Sequence, residues 1–113
     1  MRSLKALIEQ NDSVWIYCKD EPLQVQFLEQ AESEGFLALN GQKPTELFHH
    51  MLYGIDSDMT MGYLSNMCWC LTFREGDTHV RVDYGKYIAG EEDYICHTSP
   101  LKKVGQTEWK EMH

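Results

Sequence analysis

The stretch SVWIYCKDEPLQVQFLEQAESEGFLAL, residues 13–39, decides the fold. Its first part, Val14–Cys18, is a run of β-branched, aromatic and other apolar residues and predicts a strand. Both alternating faces of that strand are apolar, which favours a central position in a sheet over an edge. A helix is predicted next, because Asp20 suits the N-cap, Pro22 suits the first turn and Gly35 suits the C-cap.

The last part of the stretch, Phe36–Leu39, predicts a short second strand, and the residues Asn40–Pro44 after it predict a turn. Strand, helix and strand in so short a span are typical of a βαβ unit, in which one helix joins two parallel strands.

The segments around this unit give weaker signals. The apolar spacing of residues 2–10 predicts a short amphipathic helix. Residues Thr45–Phe48 predict a short helical turn that leads into an extended stretch, and Asp56–Thr60 predict a polar loop.

A hairpin is predicted in the second half of the chain. In residues 64–73 apolar side chains recur at every second position, which predicts a strand. Such a strand puts Cys68 and Cys70 on one face. Residues 74–77 form a suitable turn, and residues 78–84 predict the returning strand. The outer face of that strand, with Arg81 and Asp83, is polar and is expected to be solvated.

Together these elements predict one α+β (or α/β) domain over residues 1–97, with a mixed sheet of four to five strands and helices packed on one face. The apolar residues of 98–113 show neither a helix-like nor a strand-like spacing. A C-terminal tail is therefore expected there, either loosely ordered or anchored by Trp109.

The charge balance narrows the classes of partner. Eighteen acids face ten bases among 113 residues, a formal net charge of −8. This charge repels phosphate backbones and disfavours direct nucleic-acid binding, whereas it suits a soluble monomer or homo-oligomer and docking on a basic groove. The chain has no apolar run of membrane-spanning length and its first ten residues do not resemble a signal peptide, so a cytoplasmic location without a membrane partner is expected.

Motifs for catalysis and cofactor binding are missing from the sequence. It contains no G-x-G-x-x-G dinucleotide-binding motif, no P-loop, no H-E-x-x-H zinc-protease motif and no G-x-S-x-G motif of α/β-hydrolases. A catalytic thiol at Cys18 or Cys96 would need a nearby histidine, and the spacing selects no such pair. The C-x-C pair and the adjacent His49 and His50 do not have the spacing of a metal site. We therefore expect no enzyme, no metal and no cofactor, and reduced thiols.

The stretch VDYGKYIAGEEDY, Val82–Tyr94, is the candidate site, and two interpretations stay open. Lys86, Arg81 and the nearby tyrosines could hold a nucleotide-like ligand, or the tyrosines could close the core while the acids form a solvated tip or contact a basic partner. The residues expected to form a binding surface are Arg81, Asp83, Tyr84, Lys86, Tyr87, Glu91, Glu92, Asp93 and Tyr94.

Several short motifs resemble a family of small uncharacterised proteins that phages and mobile elements of Gram-positive bacteria encode. The shared motifs are Tyr17–Cys18, Asp20–Glu21, Phe27–Leu28, Glu34–Phe36, Gly41–Pro44 and Asp83–Gly90. The resemblance covers roughly residues 12–96 and brings no catalytic residue with it. It implies a protein that binds a host protein, such as a defence protein inhibited in the manner of an anti-CRISPR.

Overall fold

The structure is a computed structural model that describes residues 2–69 and 80–96. The helices whose two ends lie in these residues are α1 (Leu4–Gln10), α2 (Glu21–Glu34) and α3 (Tyr84–Ile88), with a 3-10 turn at Pro44–Glu46, and residues 66–69 are also helical. The strands are β1 (Ser13–Tyr17), β2 (Leu37–Ala38), β3 (Leu52–Asp56), β4 (Thr60–Tyr63) and β5 (Val80–Asp83). In this part of the chain, no helix is long and apolar enough to cross a membrane.

The five strands form one mixed sheet in the order β2-β4-β3-β1-β5. β1 pairs with β3 in antiparallel and with β5 in parallel orientation, so it is central, as its apolar faces predict. β2 pairs with β4 in parallel and β4 with β3 in antiparallel orientation. Four strands therefore run in one direction and β3 runs against them, and the predicted α+β class is confirmed.

The unit β1–α2–β2 joins two strands of the same direction, as the sequence predicts for a βαβ unit. The two strands are not neighbours, because β3 and β4 lie between them. The later hairpin β3–β4 occupies this gap, which local sequence signals around α2 do not reveal.

The ends of α2 follow the local sequence signals. A side-chain oxygen of Asp20 accepts a hydrogen bond of 3.1 Å from the backbone amide of Leu23. At the other end Gly35 has a φ of 96° and donates to the carbonyls of Ala31 and Glu32. A left-handed residue at this position satisfies carbonyls that the helix leaves without partners, and glycine adopts it without steric cost.

The main core lies between the sheet and the helices. Phe27 of α2 stacks on Tyr53 of β3 at 5.0 Å between ring centroids and meets the ring of Tyr84 edge-on at 5.3 Å. A second cluster lies on the opposite face of the sheet, where Trp15 and Trp69 have ring centroids 6.2 Å apart. Burial of these large side chains on both faces explains why β1 is apolar throughout.

The predicted strand over residues 64–73 is wrong in its described part. Residues 66–69 are helical, and the Ser65 hydroxyl accepts a hydrogen bond of 3.0 Å from the Cys68 amide, as an N-cap does. Cys68 therefore lies in a helical turn, not on a strand. The sequence analysis also misses β4, which begins at Thr60. The predicted hairpin turn at 74–77, together with Cys70, Trp109 and the tail 98–113, lies outside the described residues.

The outer face of β5 is not solvated as predicted. Arg81 is only 4% exposed, and its guanidinium carbon lies 5.3 Å from the centre of the Trp15 ring. The long side chain can cover an apolar ring because its stem and its planar head both pack against it. Tyr84, predicted as the end of the strand, instead begins α3.

Candidate functional site

The candidate segment starts with a short helix held by its own first residue. A side-chain oxygen of Asp83 accepts a hydrogen bond of 3.2 Å from the Lys86 amide and so caps α3. Gly90, with a φ of 84°, turns the chain after the helix, and the Glu91 amide donates to the carbonyl of Lys86 at 3.1 Å. Local contacts thus fix the entry to the acidic residues that follow.

The exit from the acidic residues is fixed by the sheet. Along the edge of β5 that faces away from β1, the Asp83 amide donates to the Tyr94 carbonyl and the Cys96 amide donates to the Arg81 carbonyl, both at 2.8 Å. The acidic loop, which we define as residues 91–93, is therefore tied to the body before and after. All three of its side chains, those of Glu91, Glu92 and Asp93, are exposed.

Arg2 closes the base of the acidic loop from the other end of the chain. Its guanidinium donates to the carbonyl oxygens of Glu91 at 2.6 Å, Gly90 at 3.3 Å and Tyr87 at 3.5 Å. The same group lies 5.4 Å from the centre of the Tyr87 ring and 5.0 Å from that of Tyr94. Arg2 is not among the predicted site residues, because no local sequence pattern connects it to residues almost ninety positions away.

The N-terminal segment that carries Arg2 is itself anchored. The Arg2 carbonyl accepts a hydrogen bond of 2.8 Å from the side-chain amide of Gln30, and the Ser3 carbonyl accepts one of 2.6 Å from the Tyr87 hydroxyl. The carboxylate of Glu34 accepts bonds from the first amides of α1. Arg2 therefore reaches the acidic loop from a fixed position.

Two of the predicted surface tyrosines belong to the core. Tyr84 is fully buried and Tyr87 is 3% exposed, and burial raises the pKa of both hydroxyls. Tyr94 is half-buried beside Tyr87, with ring centroids 4.9 Å apart. Only Tyr94 among these three can therefore offer part of a ring to a partner.

The structure does not bring Arg81 and Lys86 together. Arg81 is buried against Trp15 on one face of the sheet, whereas Lys86 is exposed on α3, which packs with α2 on the other face. The ligand interpretation needs both cations and accessible tyrosines around one cavity. Arg81 and Lys86 do not line one cavity, and of the three tyrosines only Tyr94 is partly accessible.

Cys18 and Cys96 lie in surroundings that disfavour the thiolate. Cys18 is fully buried, and burial followed by the charges of Asp83 and Asp20 raises its pKa. Burial and the charge of Asp83 raise the pKa of Cys96 to about 12. A nucleophilic cysteine has its pKa lowered, so neither environment is one that activates a thiol.

His49 and His50, the two histidines within the described residues, have structural contacts. Nδ1 of His49 lies 3.5 Å from a carboxylate oxygen of Glu21, and Nε2 of His50 lies 2.8 Å from the carbonyl of Leu64. Within residues 2–69 and 80–96, no group of three or more histidine, cysteine or acidic side chains could hold a metal ion.

Comparison with known proteins gives no family, since family models, curated proteins and solved structures all return no match. The chemistry of the surface is therefore what supports a function.

Proposed function

We propose that this protein acts by binding, not by catalysis, and that its partner is a protein with a basic surface. The observation that supports this proposal best is the acidic loop. Three exposed carboxylates, those of Glu91, Glu92 and Asp93, stand on a backbone that is fixed on both sides and closed by Arg2.

A fixed loop favours binding for an entropic reason. A flexible loop has to be ordered when it binds, and fixing its backbone costs about 1–2 kcal/mol for each residue. The hydrogen bonds of the loop's backbone already meet part of this cost in the free protein. The net charge of −8 adds long-range attraction to a basic partner.

For the partner we propose a host defence or nucleic-acid-processing protein in the cytoplasm, and for this protein an origin in a phage or mobile element. A groove that normally holds nucleic acid is basic, so an acidic surface can compete for it. The resemblance to proteins of phages and mobile elements supports this setting. The proposal includes no direct contact with nucleic acid.

The experiment compares capture from the lysate of a Gram-positive host by the wild-type protein and two charge variants. The test variant is Glu91→Lys/Glu92→Lys. The matched control is Glu9→Lys/Asp12→Lys, which makes the same change of charge at one residue of α1 and at the residue before β1. We expect the wild type and the control to retain a partner that the test variant loses, and we expect salt and added nucleic acid to release it. The proposal would be contradicted if the test variant still retained the partner, or if high salt did not weaken the binding.

A further inference from the structure

A groove lies along α2. The residues that form it are far in sequence from the acidic loop. Its floor is formed by Leu28, which is 2% exposed, and by half-buried Val25. Its rim is formed by Glu29 of α2 and by Thr45 and His49 from the connection between β2 and β3. The groove is open to solvent, and its volume of about 200 Å³ is enough for an apolar side chain.

Two contacts join α2 to the opposite rim of the groove. The Thr45 hydroxyl donates to a carboxylate oxygen of Glu32 at 2.6 Å. Nδ1 of His49 lies 3.5 Å from a carboxylate oxygen of Glu21. The two acids are eleven positions apart in the helix, which is roughly 16 Å at 1.5 Å per residue.

The helix face explains the order of chemistry along the groove. Glu21, Val25, Leu28 and Glu32 follow one another at spacings of four, three and four residues. Such spacings place side chains on one face of a helix. The apolar side chains of the groove floor therefore lie between two carboxylates on the same face of α2.

The wall opposite α2 is held rigidly. The Phe48 amide donates to the hydroxyl of Tyr63 at 2.6 Å, and the Tyr53 hydroxyl donates to the Phe48 carbonyl at 2.7 Å. Leu47 is anchored in the core. The Phe48 side chain is 83% exposed even though its backbone is fixed on both sides. Its backbone therefore loses little entropy when a partner covers the exposed ring.

The charge around the groove is negative. Glu29 is exposed on the rim, Glu46 lies in the 3-10 turn, and the nearby base is Lys43. Hydrogen bonds from Thr45 lower the pKa of Glu32, so this carboxylate stays ionised at neutral pH. These carboxylates would repel an anionic occupant. A purely apolar occupant would remove them from water without supplying a partner.

We propose that the groove binds a basic, amphipathic segment of a partner protein. One apolar side chain of that segment lies on Val25 and Leu28, and flanking lysine or arginine side chains pair with Glu21 and Glu29. This surface does not depend on the acidic loop, and the two can be tested separately.

The experiment uses two synthetic peptides of equal charge, Lys-Lys-Leu-Lys-Lys and Lys-Lys-Ser-Lys-Lys, and follows proton–nitrogen NMR spectra of the full chain. We expect the leucine peptide to bind roughly tenfold more tightly, as the partial burial of one leucine provides. Its resonance shifts should centre on Val25, Thr45 and His49. Equal affinity of the two peptides, or shifts centred elsewhere, would overturn the proposal.

Variants separate the groove from general attraction between charges. Val25→Ser should abolish the preference for the leucine peptide, whereas Leu39→Ser, at an apolar residue 79% exposed on another part of the surface, should keep it. Val25 is chosen over Leu28 because it is only half-buried, and thermal unfolding checks that each variant folds. An unchanged preference in Val25→Ser would also overturn the proposal.

The chain itself contains a basic segment with apolar residues, Leu101–Val104. The variant Lys102→Glu/Lys103→Glu tests whether this segment is the occupant instead. The added negative charge should strengthen the binding of both cationic peptides, so the measured quantity is the ratio of their two affinities. A clear rise in the preference for the leucine peptide would show that the segment competes for the groove, which overturns the proposal of a partner protein. An unchanged preference agrees with that proposal.

Discussion

The Tyr84 hydroxyl donates a buried hydrogen bond of 2.6 Å to the side-chain oxygen of Gln30, a residue 54 positions earlier. The side-chain amide of Gln30 in turn donates to the Arg2 carbonyl and to the Glu34 carboxylate, each at 2.8 Å. One glutamine of α2 therefore joins the start of α3 to the N-terminal segment. These contacts, with the guanidinium of Arg2, set the position of the acidic loop.

Removal of the Tyr84 hydroxyl tests this network. Tyr84→Phe leaves the Gln30 oxygen buried without its donor, so we expect the free energy of unfolding to fall by about 1–3 kcal/mol in urea denaturation. Tyr63→Phe is the control, because the hydroxyl of Tyr63 accepts the Phe48 amide at an exposed site and water can replace it. A loss in Tyr84→Phe no larger than in Tyr63→Phe would contradict the prediction.

Removal of the Arg2 side chain should loosen the acidic loop while the sheet stays intact. In Arg2→Ala the carbonyls of Gly90 and Glu91 lose their donor, so we expect the amides of residues 90–94 to exchange hydrogen faster, with little change at β1 and β3. Lys5→Ala, which removes an exposed base from α1, is the control. Unchanged exchange at residues 90–94 would show that Arg2 does not hold the loop.

A side chain at Gly35 should destabilise the end of α2. The φ of 96° is unfavourable for alanine, and the contact of an added Cβ with Met59 at 3.8 Å is ordinary, so the cost comes from the backbone. We expect Gly35→Ala to lower the free energy of unfolding by about 1–2 kcal/mol. Gly62→Ala, where an added Cβ meets no atom within 4 Å, should cost much less. Equal losses in the two variants would refute this explanation.

The buried thiols should make the fold sensitive to alkaline pH. The pKa of Cys96 is raised to about 12 in the folded protein, whereas an unfolded thiol has a pKa of about 8.5. Between these values the folded state binds more protons, so this contribution to stability is complete below about pH 8 and is lost as the pH rises towards 12. Buried Cys18, Tyr53 and Tyr84 act in the same direction.

The measurement is the midpoint of urea unfolding at about pH 8 and about pH 10, which lie on the two sides of the onset of thiol ionisation. We expect a lower midpoint at the higher pH, and a smaller difference in Cys96→Ser, which removes one of the titrating groups. Equal midpoints for the wild type at the two pH values would contradict the assigned burial of these groups.

Local chemistry made part of the fold predictable. Asp20 and Gly35 mark the ends of α2 because each satisfies backbone groups of the residues next to it. β4 could not be predicted in the same way, since its sequence TMGY contains glycine and only a short apolar pattern. It exists as a strand because β3 and β2 supply hydrogen bonds on its two sides.

The candidate site was predictable only in its charge. The acids at 91–93 are expected to be exposed from their solvation alone. A tyrosine can pack in a core or lie at a surface, so burial of Tyr84 and Tyr87 depends on Phe27 and on partners such as Gln30 and Ser3. The prediction of a solvated Arg81 was wrong because alternation along a strand does not show that Trp15 covers the same face.

The sequence by itself determined the acidic character, the central apolar strand β1 and the capped helix α2, because these follow from composition and from interactions between neighbouring residues. Only the tertiary structure decided the insertion of β3 and β4 between two parallel strands, the contact of Arg2 with the acidic loop, and the groove between α2 and Thr45–His49. Each of these joins residues far apart in the chain, and burial, charge and hydrogen bonding at such contacts depend on which elements pack together.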